Sequence, residues 1–169
     1  MTHPLNKTLA YEDLDDVAVA PTYRELRRFV WRWCLRGFRL GVNGKVRRRV
    51  RVRPQKMWEY SRALALTAAR SPEPLAILDV GGAMTLPVFY LASLGHRVVS
   101  LDIDKSLVDE TNRTAARARL PVRALTTNLV EEEPSAESVG APGGFDRAYC
   151  LCVIEHIVHR KVIEVHTDL

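Results

Sequence analysis

The stretch Leu78-Asp79-Val80-Gly81-Gly82-Ala83-Met84-Thr85 decides the fold. It begins inside an apolar run, residues 75–80, and passes through two glycines towards a helical pattern at residues 87–94, which Gly95 closes. A short apolar run that enters a glycine turn and then a helix is typical of a strand–turn–helix unit. Small residues at such a turn let the backbone approach a ligand closely. The stretch therefore predicts a strand end that can carry a binding site.

The same rhythm continues downstream of this stretch. A second apolar run at residues 98–101 ends on Asp102, a helix with Ser106 as its cap is predicted at 106–120, and strands are predicted at 121–126 and 145–153. Strands that alternate with helices predict an α/β fold with a Rossmann-like parallel sheet. Ser71-Pro72-Glu73-Pro74 is a break. It divides the chain into a basic helical N-terminal region, residues 1–74, and a Rossmann-like domain, residues 75–169.

A second acidic residue stands where a nucleoside would bind. Asp102 lies 21 residues after Gly81, and a carboxylate at that distance can accept hydrogen bonds from both ribose hydroxyls. A nicotinamide fold would have G-x-G-x-x-G, whereas this chain has Gly81, Ala83 and Leu86 at those places. Asp79 would repel a pyrophosphate but can hold the ammonium group of an amino acid. The combination favours S-adenosylmethionine over a dinucleotide, and a nicotinamide-dependent oxidoreductase is the weaker option.

Four segments in this order resemble the motifs of a known family. Residues 78–85, 98–104, 126–129 and 145–156 are similar to the successive motifs of class I S-adenosylmethionine-dependent methyltransferases, over about residues 75–157. The resemblance implies a Rossmann-like sheet, S-adenosylmethionine as the cofactor and transfer of a methyl group to a small-molecule acceptor.

The resemblance also implies roles for the residues after the first strand. Asp79, Gly81 and Gly82 would line the methionine end of the cofactor. Ala83 and Thr85 stand at the places of the family's second and third glycines. Ala83 fits there if its φ stays negative, or if a strain of about 1 kcal/mol is compensated elsewhere.

Further roles implied by the resemblance fall on the later strand ends. Asp102 would bind the ribose, and Ile103 would flank the adenine. Asn128 stands where the family usually has an aspartate that accepts from the adenine amino group, a role that an amide oxygen can also fill. Leu129 would cover the adenine ring. Cys150 would lie beneath the transferred methyl group.

The chemistry itself needs mainly a well-positioned acceptor. Where the acceptor arrives protonated, His156 is the nearest candidate for a general base. The alternative is that Glu155 and His156 order a loop or line a pocket. No metal site is expected, because Cys150 and Cys152 share one face of a strand and lack the CxxC turn of a metal site.

Charge is unevenly distributed along the 169 residues. The chain has 25 Lys or Arg and 20 Asp or Glu, a net charge of +5. Residues 1–75 carry 16 basic and 7 acidic side chains, a net of +9, whereas residues 76–169 carry 9 and 13, a net of −4. Residues 24–56 alone hold 13 Lys or Arg against one acid, Glu25. A basic segment of this kind invites an anionic partner.

A basic amphipathic helix is predicted from about residue 21 to residue 41, with Thr22 as its cap. Its arginines form either a solvated outer face, over Leu26, Phe29 and Trp33 packed on the sheet domain, or a surface for nucleic acid or an anionic membrane. A second helix is predicted at about residues 56–69. The alternative function is a non-catalytic nucleic-acid-binding module that uses residues 24–56.

Composition excludes several other classes of protein. Hydrophobic residues make up 47% of the chain, so wholesale disorder is excluded. The sequence has no run of 18 apolar residues for a transmembrane helix, and its start lacks the pattern of a secretory signal. Three cysteines do not make a disulfide framework, so a cytoplasmic location is the expectation.

The number of strands is smaller than the resemblance implies. The family's sheet has seven strands, and four are predicted here. The fourth would then be an exposed apolar edge, which favours pairing with another chain. We therefore expect a truncated sheet or an oligomer that covers this edge.

Overall fold

The computed structural model describes residues 16–42, 45–47, 52–67 and 71–151. Within these ranges the chain forms four helices and six strands. In chain order they are α1 (Ala20–Leu35), β1 (Leu40–Val42), β2 (Lys45–Arg47), α2 (Pro54–Leu66), β3 (Ala76–Val80), α3 (Leu86–Ser93), β4 (Arg97–Asp102), α4 (Lys105–Ala118), β5 (Val122–Thr126) and β6 (Arg147–Cys150).

Four of the strands form a parallel sheet in the order β5-β4-β3-β6. The chain builds outward from β3 through β4 to β5, and then crosses back to place β6 on the other side of β3. In open parallel sheets ligands bind beside such a reversal, outside the carboxyl ends of the strands. The predicted α/β fold, a Rossmann-like parallel sheet preceded by a helical region, is confirmed.

The two helices of the sheet region are built differently. Every residue from Leu86 to Ala92 in α3 is buried, so this helix is apolar on all sides and lies inside the molecule. Helix α4 is amphipathic and capped by Asp104, whose Oδ1 accepts hydrogen bonds from the N–H groups of Ser106 (2.8 Å) and Leu107 (3.3 Å). The predicted cap at Ser106 is wrong, because the carboxylate two residues earlier already satisfies these donors.

The N-terminal helices share a hydrophobic core with the sheet region. Leu26 and Trp33 of α1, Met57 of α2 and Phe89 of α3 belong to one buried cluster, and Phe29 stacks on Trp33 with ring centroids 5.2 Å apart. The predicted packing of the apolar face of α1 is thereby confirmed. That residues 1–74 and 75–169 are separate domains stays a prediction.

Helix α1 is shorter than predicted and ends at Leu35 rather than near residue 41. Gly37 adopts a φ of 77°, which turns the chain, and the indole N–H of Trp33 donates to the carbonyl of Arg39 across the turn (3.0 Å). The chain then enters β1, which pairs antiparallel with β2 in a two-stranded hairpin. The second helix begins at Pro54, two residues before the predicted start, because proline suits the first turn of a helix.

Strand β6 lies at the edge of the sheet formed by the described residues. Arg147, Ala148 and Cys150 are exposed, whereas Tyr149 is buried and its hydroxyl shares a hydrogen bond with Thr67 Oγ1 (2.7 Å). Residues 152–153 of the predicted strand lie outside the described residues. Coverage of this edge by another chain stays a prediction.

Candidate functional site

The candidate site lies at the carboxyl ends of β3 and β4, where the sheet brings two predicted residues together. The turn Gly81–Thr85 follows β3, and Asp102 ends β4. The two strands are paired in parallel, with Val80 opposite Leu101. The N–H of Ala83 donates to Asp102 Oδ2 over 3.2 Å, which joins the turn directly to the second strand end.

The turn is built so that most of its backbone donors are already used. Four of the five N–H groups from Gly81 to Thr85 bond within the protein. For Gly81, Ala83, Met84 and Thr85 the acceptors are the Leu101 carbonyl (2.7 Å), Asp102 Oδ2 (3.2 Å), Thr111 Oγ1 (2.8 Å) and the Gly82 carbonyl (2.9 Å). The turn is therefore preorganised and leaves few of these donors for an anion.

The strained position of the turn is not the one that the sequence suggests. Among described non-glycine residues only Met84 (φ 63°) and Arg119 (φ 55°) adopt a positive φ, so Ala83 keeps a negative one. A left-handed residue with a side chain costs about 1–2 kcal/mol. Met84 is held there from two sides, because its carbonyl also accepts a hydrogen bond from the N–H of Gly41 in β1 (2.7 Å).

Asp79 lies on the inner side of the turn. Its side chain is 3% exposed, and its carboxylate accepts a hydrogen bond from Ser100 Oγ (2.7 Å) and lies against Gly82. Burial raises the pKa of Asp79 to about 7. The Ser100 hydrogen bond opposes this shift, the nearby Asp102 carboxylate adds to it, and the backbone N–H of Gly82 opposes it. Near neutral pH this carboxyl group is therefore close to half protonated.

Asp102 lies on the outer side and is partly exposed. Its Oδ2 accepts from Ala83 and its Oδ1 from the N–H of Asp104 (3.0 Å). A carboxylate offers about four acceptor positions, so two hydrogen bonds leave capacity for two more. The arrangement orients the carboxylate and still lets it accept from a ligand such as a vicinal diol.

Three further predicted residues lie on the segments that adjoin Asp102. Ile103 is 68% exposed, an unusual state for a large apolar side chain at a strand end. Asn128 follows β5 and starts a turn in which its Oδ1 accepts from the N–H of Val130 (3.2 Å). Thr127 N–H donates to the Asp102 carbonyl (2.9 Å), which places this turn beside the end of β4, and Leu129 packs partly into the adjacent core.

The remaining predictions concern the end of β6. Cys150 is exposed and stands opposite Val80, so it ends its strand beside the turn after β3. Cys152, Glu155 and His156 lie outside the described residues, and the role of His156 as a base stays a prediction. Within the described part of the chain, no three His, Cys, Asp or Glu side chains converge as metal ligands would.

Sequence reasoning missed four residues that shape the site, which are Gly41, Met84, Ser100 and Thr111. Ser100 lies in the apolar run that predicted β4, where a buried polar residue is a signal for an internal partner. Thr111 is likewise a fully buried hydroxyl in α4. Gly41 and Met84 offer no comparable signal, since their contact joins distant parts of the chain.

The strand order and the alternation of strands and helices define a Rossmann-like α/β fold with a parallel sheet. No protein-family model matches the chain, and no curated protein matches it.

Solved structures do match the chain. A branched-chain polyamine synthase from Thermus thermophilus, in complex with N4-aminopropylspermidine and 5′-methylthioadenosine, is 22% identical, with a TM-score of 0.50 over 76% of this chain and 35% of that one. A TehB-like SAM-dependent methyltransferase from Corynebacterium glutamicum is 22% identical, with a TM-score of 0.45 over 59% and 55%. The bifunctional kinase-methyltransferase WbdD is 20% identical, with a TM-score of 0.46 over 94% and 28%. The chain spans about a quarter of the length of the WbdD structures that it matches.

The proposed alternative function of the basic segment, residues 24–56, has less support. Nothing in the comparisons supports a nucleic-acid-binding module at residues 24–56, and residues 48–51 of this segment lie outside the described ranges. None of the helices within residues 16–42, 52–67 and 71–151 combines the length and the apolar character that a membrane crossing requires.

Proposed function

We propose that this chain binds S-adenosylmethionine at the carboxyl ends of β3 and β4 and is a methyltransferase for a small-molecule acceptor. The observation that carries the proposal is the state of Asp102, which is oriented by two backbone N–H groups and retains acceptor capacity. That capacity suits the two hydroxyls of a ribose. The exposed side chain of Ile103 beside it provides an apolar surface for the adenine.

The turn after β3 supports this cofactor over a dinucleotide. A pyrophosphate binds where a turn and a helix N-terminus offer free N–H groups, and four of the five donors of residues 81–85 are engaged within the protein. A methionine chain does not need those donors. The polyamine synthase with a similar fold binds 5′-methylthioadenosine, which shares the adenosine and the methyl-bearing sulfur of S-adenosylmethionine but has a thioether in place of the sulfonium.

The remaining predicted residues complete the site in this proposal. Asn128 retains an acceptor position for the adenine amino group, Leu129 covers the ring, and Cys150 lies beneath the methyl group. Bound S-adenosylmethionine supplies a methyl group activated by the sulfonium. The chain's own residues hold it in line with the acceptor, since orientation provides most of the rate in such a displacement. His156 would remove the acceptor's proton where one must leave.

Calorimetric titration with S-adenosylhomocysteine tests the cofactor claim. Asp102→Asn should weaken binding about 10–100-fold, because charge-assisted hydrogen bonds to the ribose would be lost. Asp104→Asn is the matched control: it makes the same chemical change two residues away, and an asparagine still caps α4. Absence of binding heat at millimolar ligand in folded protein contradicts the proposal, and binding of NADH instead would favour an oxidoreductase.

The predicted contact between Asp79 and the methionine ammonium group requires the ligand to reach a carboxyl group that is 3% exposed, so it has a separate test. A cation beside Asp79 lowers the pKa of its carboxyl group, so the protein should release protons on binding. At pH 7 the release should approach about half a proton per ligand, seen as a dependence of the binding heat on the ionisation enthalpy of the buffer. Asp79→Asn should abolish that dependence. A buffer-independent heat in the unmodified protein would restrict Asp79 to holding the turn.

A further inference from the structure

The outer face of α1, defined here as Arg24, Arg27, Arg28, Trp31, Arg32 and Leu35, is opposite the face that enters the core. Leu26, Val30 and Trp33 are buried, whereas every member of the outer face is exposed. Arg24, Arg28, Trp31 and Leu35 are spaced by four, three and four residues, so they form one continuous stripe along the helix.

The two apolar members of this stripe are unusually accessible. Trp31 is 65% exposed and Leu35 is 67% exposed, and they lie four residues apart, where helical neighbours touch the same surface. The other two tryptophans of the chain, Trp33 and Trp58, are buried. An indole beside an aliphatic side chain on a charged face suits the boundary between water and an apolar phase.

The charge of the helix is one-sided. Four arginines belong to the outer face, and the single acid within α1, Glu25, is partly buried and accepts a hydrogen bond from the Tyr90 hydroxyl (2.9 Å). The outer face therefore presents cations around Trp31 and Leu35 without an opposing acid from its own helix. Long arginine side chains can keep their charge at a polar surface while neighbouring apolar groups enter it.

We propose that the outer face of α1 docks on an anionic membrane surface, with Trp31 and Leu35 entering the headgroup region and the arginines pairing with lipid phosphates and carboxylates. Cations that flank an apolar stripe are the pattern of interfacial helices. Nucleic acid fits less well, because an aliphatic side chain such as Leu35 gains nothing from stacking on bases. The proposal is independent of the cofactor and of methyl transfer.

Vesicle binding of the full chain tests the proposal. Vesicles of phosphatidylcholine with about one third phosphatidylserine should bind the protein and shift the emission of exposed Trp31 to the blue, whereas pure phosphatidylcholine should do neither. Trp31→Ser with Leu35→Ser, which keeps every arginine, should weaken binding by more than about tenfold. Arg24→Gln with Arg28→Gln should weaken it about 30-fold, at about fivefold per charge.

Lys105→Gln with Arg113→Gln is the matched control, since it removes two exposed cations from α4 and should leave vesicle binding unchanged. Absence of binding to anionic vesicles overturns the proposal. So does binding that falls with the arginine variant but is unaffected by the Trp31 and Leu35 variant, because that result describes a general polyanion surface. Tighter binding of RNA or duplex DNA than of vesicles at the same ionic strength would assign the face to nucleic acid instead.

Discussion

Asp79 and Asp102 are the same type of residue near the ends of adjacent parallel strands, yet the first is buried and the second is partly exposed. Asp79 faces inward, is 3% exposed and has a pKa raised to about 7 by burial. Asp102 is partly exposed, is oriented by the N–H groups of Ala83 and Asp104, and keeps acceptor positions open. The inner side of the turn is thus closed, and the outer side is available to a ligand.

Burial, rather than position in a motif, therefore separates the roles of Asp79 and Asp102. A buried carboxyl group loses the hydration of its charged form and therefore resists ionisation, even where protein donors oppose that effect. A carboxylate that keeps part of its hydration can exchange that water for ligand hydroxyls. The three predictions that follow test the closed side of the turn against the open one.

The largest effect is expected from pH and Asp79→Asn. The folded-state pKa of Asp79, about 7, lies above the ordinary aspartate pKa of 3.8, so its contribution to stability is fully present below about pH 4 and is lost as the pH rises through 7. An asparagine can hydrogen-bond with Ser100 without ionising. The variant should therefore exceed the unmodified protein in unfolding free energy by up to about 4 kcal/mol at pH 8 and by little at pH 4.

Urea unfolding at a series of pH values measures this difference. Asp109→Asn changes an exposed carboxylate of α4, which pairs with Lys105, and should show no such divergence with pH. Parallel stability profiles for Asp79→Asn and the unmodified protein would mean that Asp79 is ionised in the fold. The contrast between the two sides of the turn would then be lost.

The next largest effect is expected from Gly82→Ala. A Cβ at residue 82 would meet the carboxylate of Asp79, which is buried and accepts a hydrogen bond from Ser100. We expect a loss of about 3 kcal/mol in unfolding free energy, the upper range for overpacking a close-packed site. Gly143→Ala is the control, because a Cβ there meets no atom within 4 Å, and it should change stability by less than about 0.5 kcal/mol.

A double-mutant cycle identifies the cause of the Gly82→Ala effect. Asp79→Ala removes the group that the new methyl would meet, so the double variant should be less destabilised than the sum of the two single changes. Additive effects would show that residue 82 acts through the backbone rather than through Asp79, and would contradict a closed inner side.

Much of this arrangement is predictable from the sequence because it depends on local patterns. The alternation of apolar runs, turns and helices predicts the parallel sheet, and the distance from Gly81 to Asp102 predicts that these strand ends meet. The inward orientation of Asp79 is not predictable in this way. It depends on Ser100, a partner 21 residues later on the neighbouring strand.

At the end of α1, too, contacts with residues distant in the sequence determine the local structure. The helical spacing continues to Leu40, which favoured a helix to about residue 41. The structure instead turns at Gly37 and uses Leu40 in β1, where it is buried in the core. Besides its pairing with β2, this segment contacts the turn after β3, and that contact joins residues 43 positions apart, Gly41 and Met84.

The smallest effect is expected at this contact, from Gly41→Ala. A Cβ on Gly41 would lie 3.1 Å from the Cβ of Met84, so the hairpin or the turn must shift by a few tenths of an ångström. Because the Gly41 N–H donates to the Met84 carbonyl and Met84 is in a strained conformation, we expect a loss of about 1 kcal/mol by chemical unfolding. Affinity for S-adenosylhomocysteine should fall in parallel, since the shift reaches Ala83 and through it Asp102. A loss of stability with unchanged affinity would mean that the outer side of the turn is insulated from the hairpin, and that Asp102 alone positions the ligand.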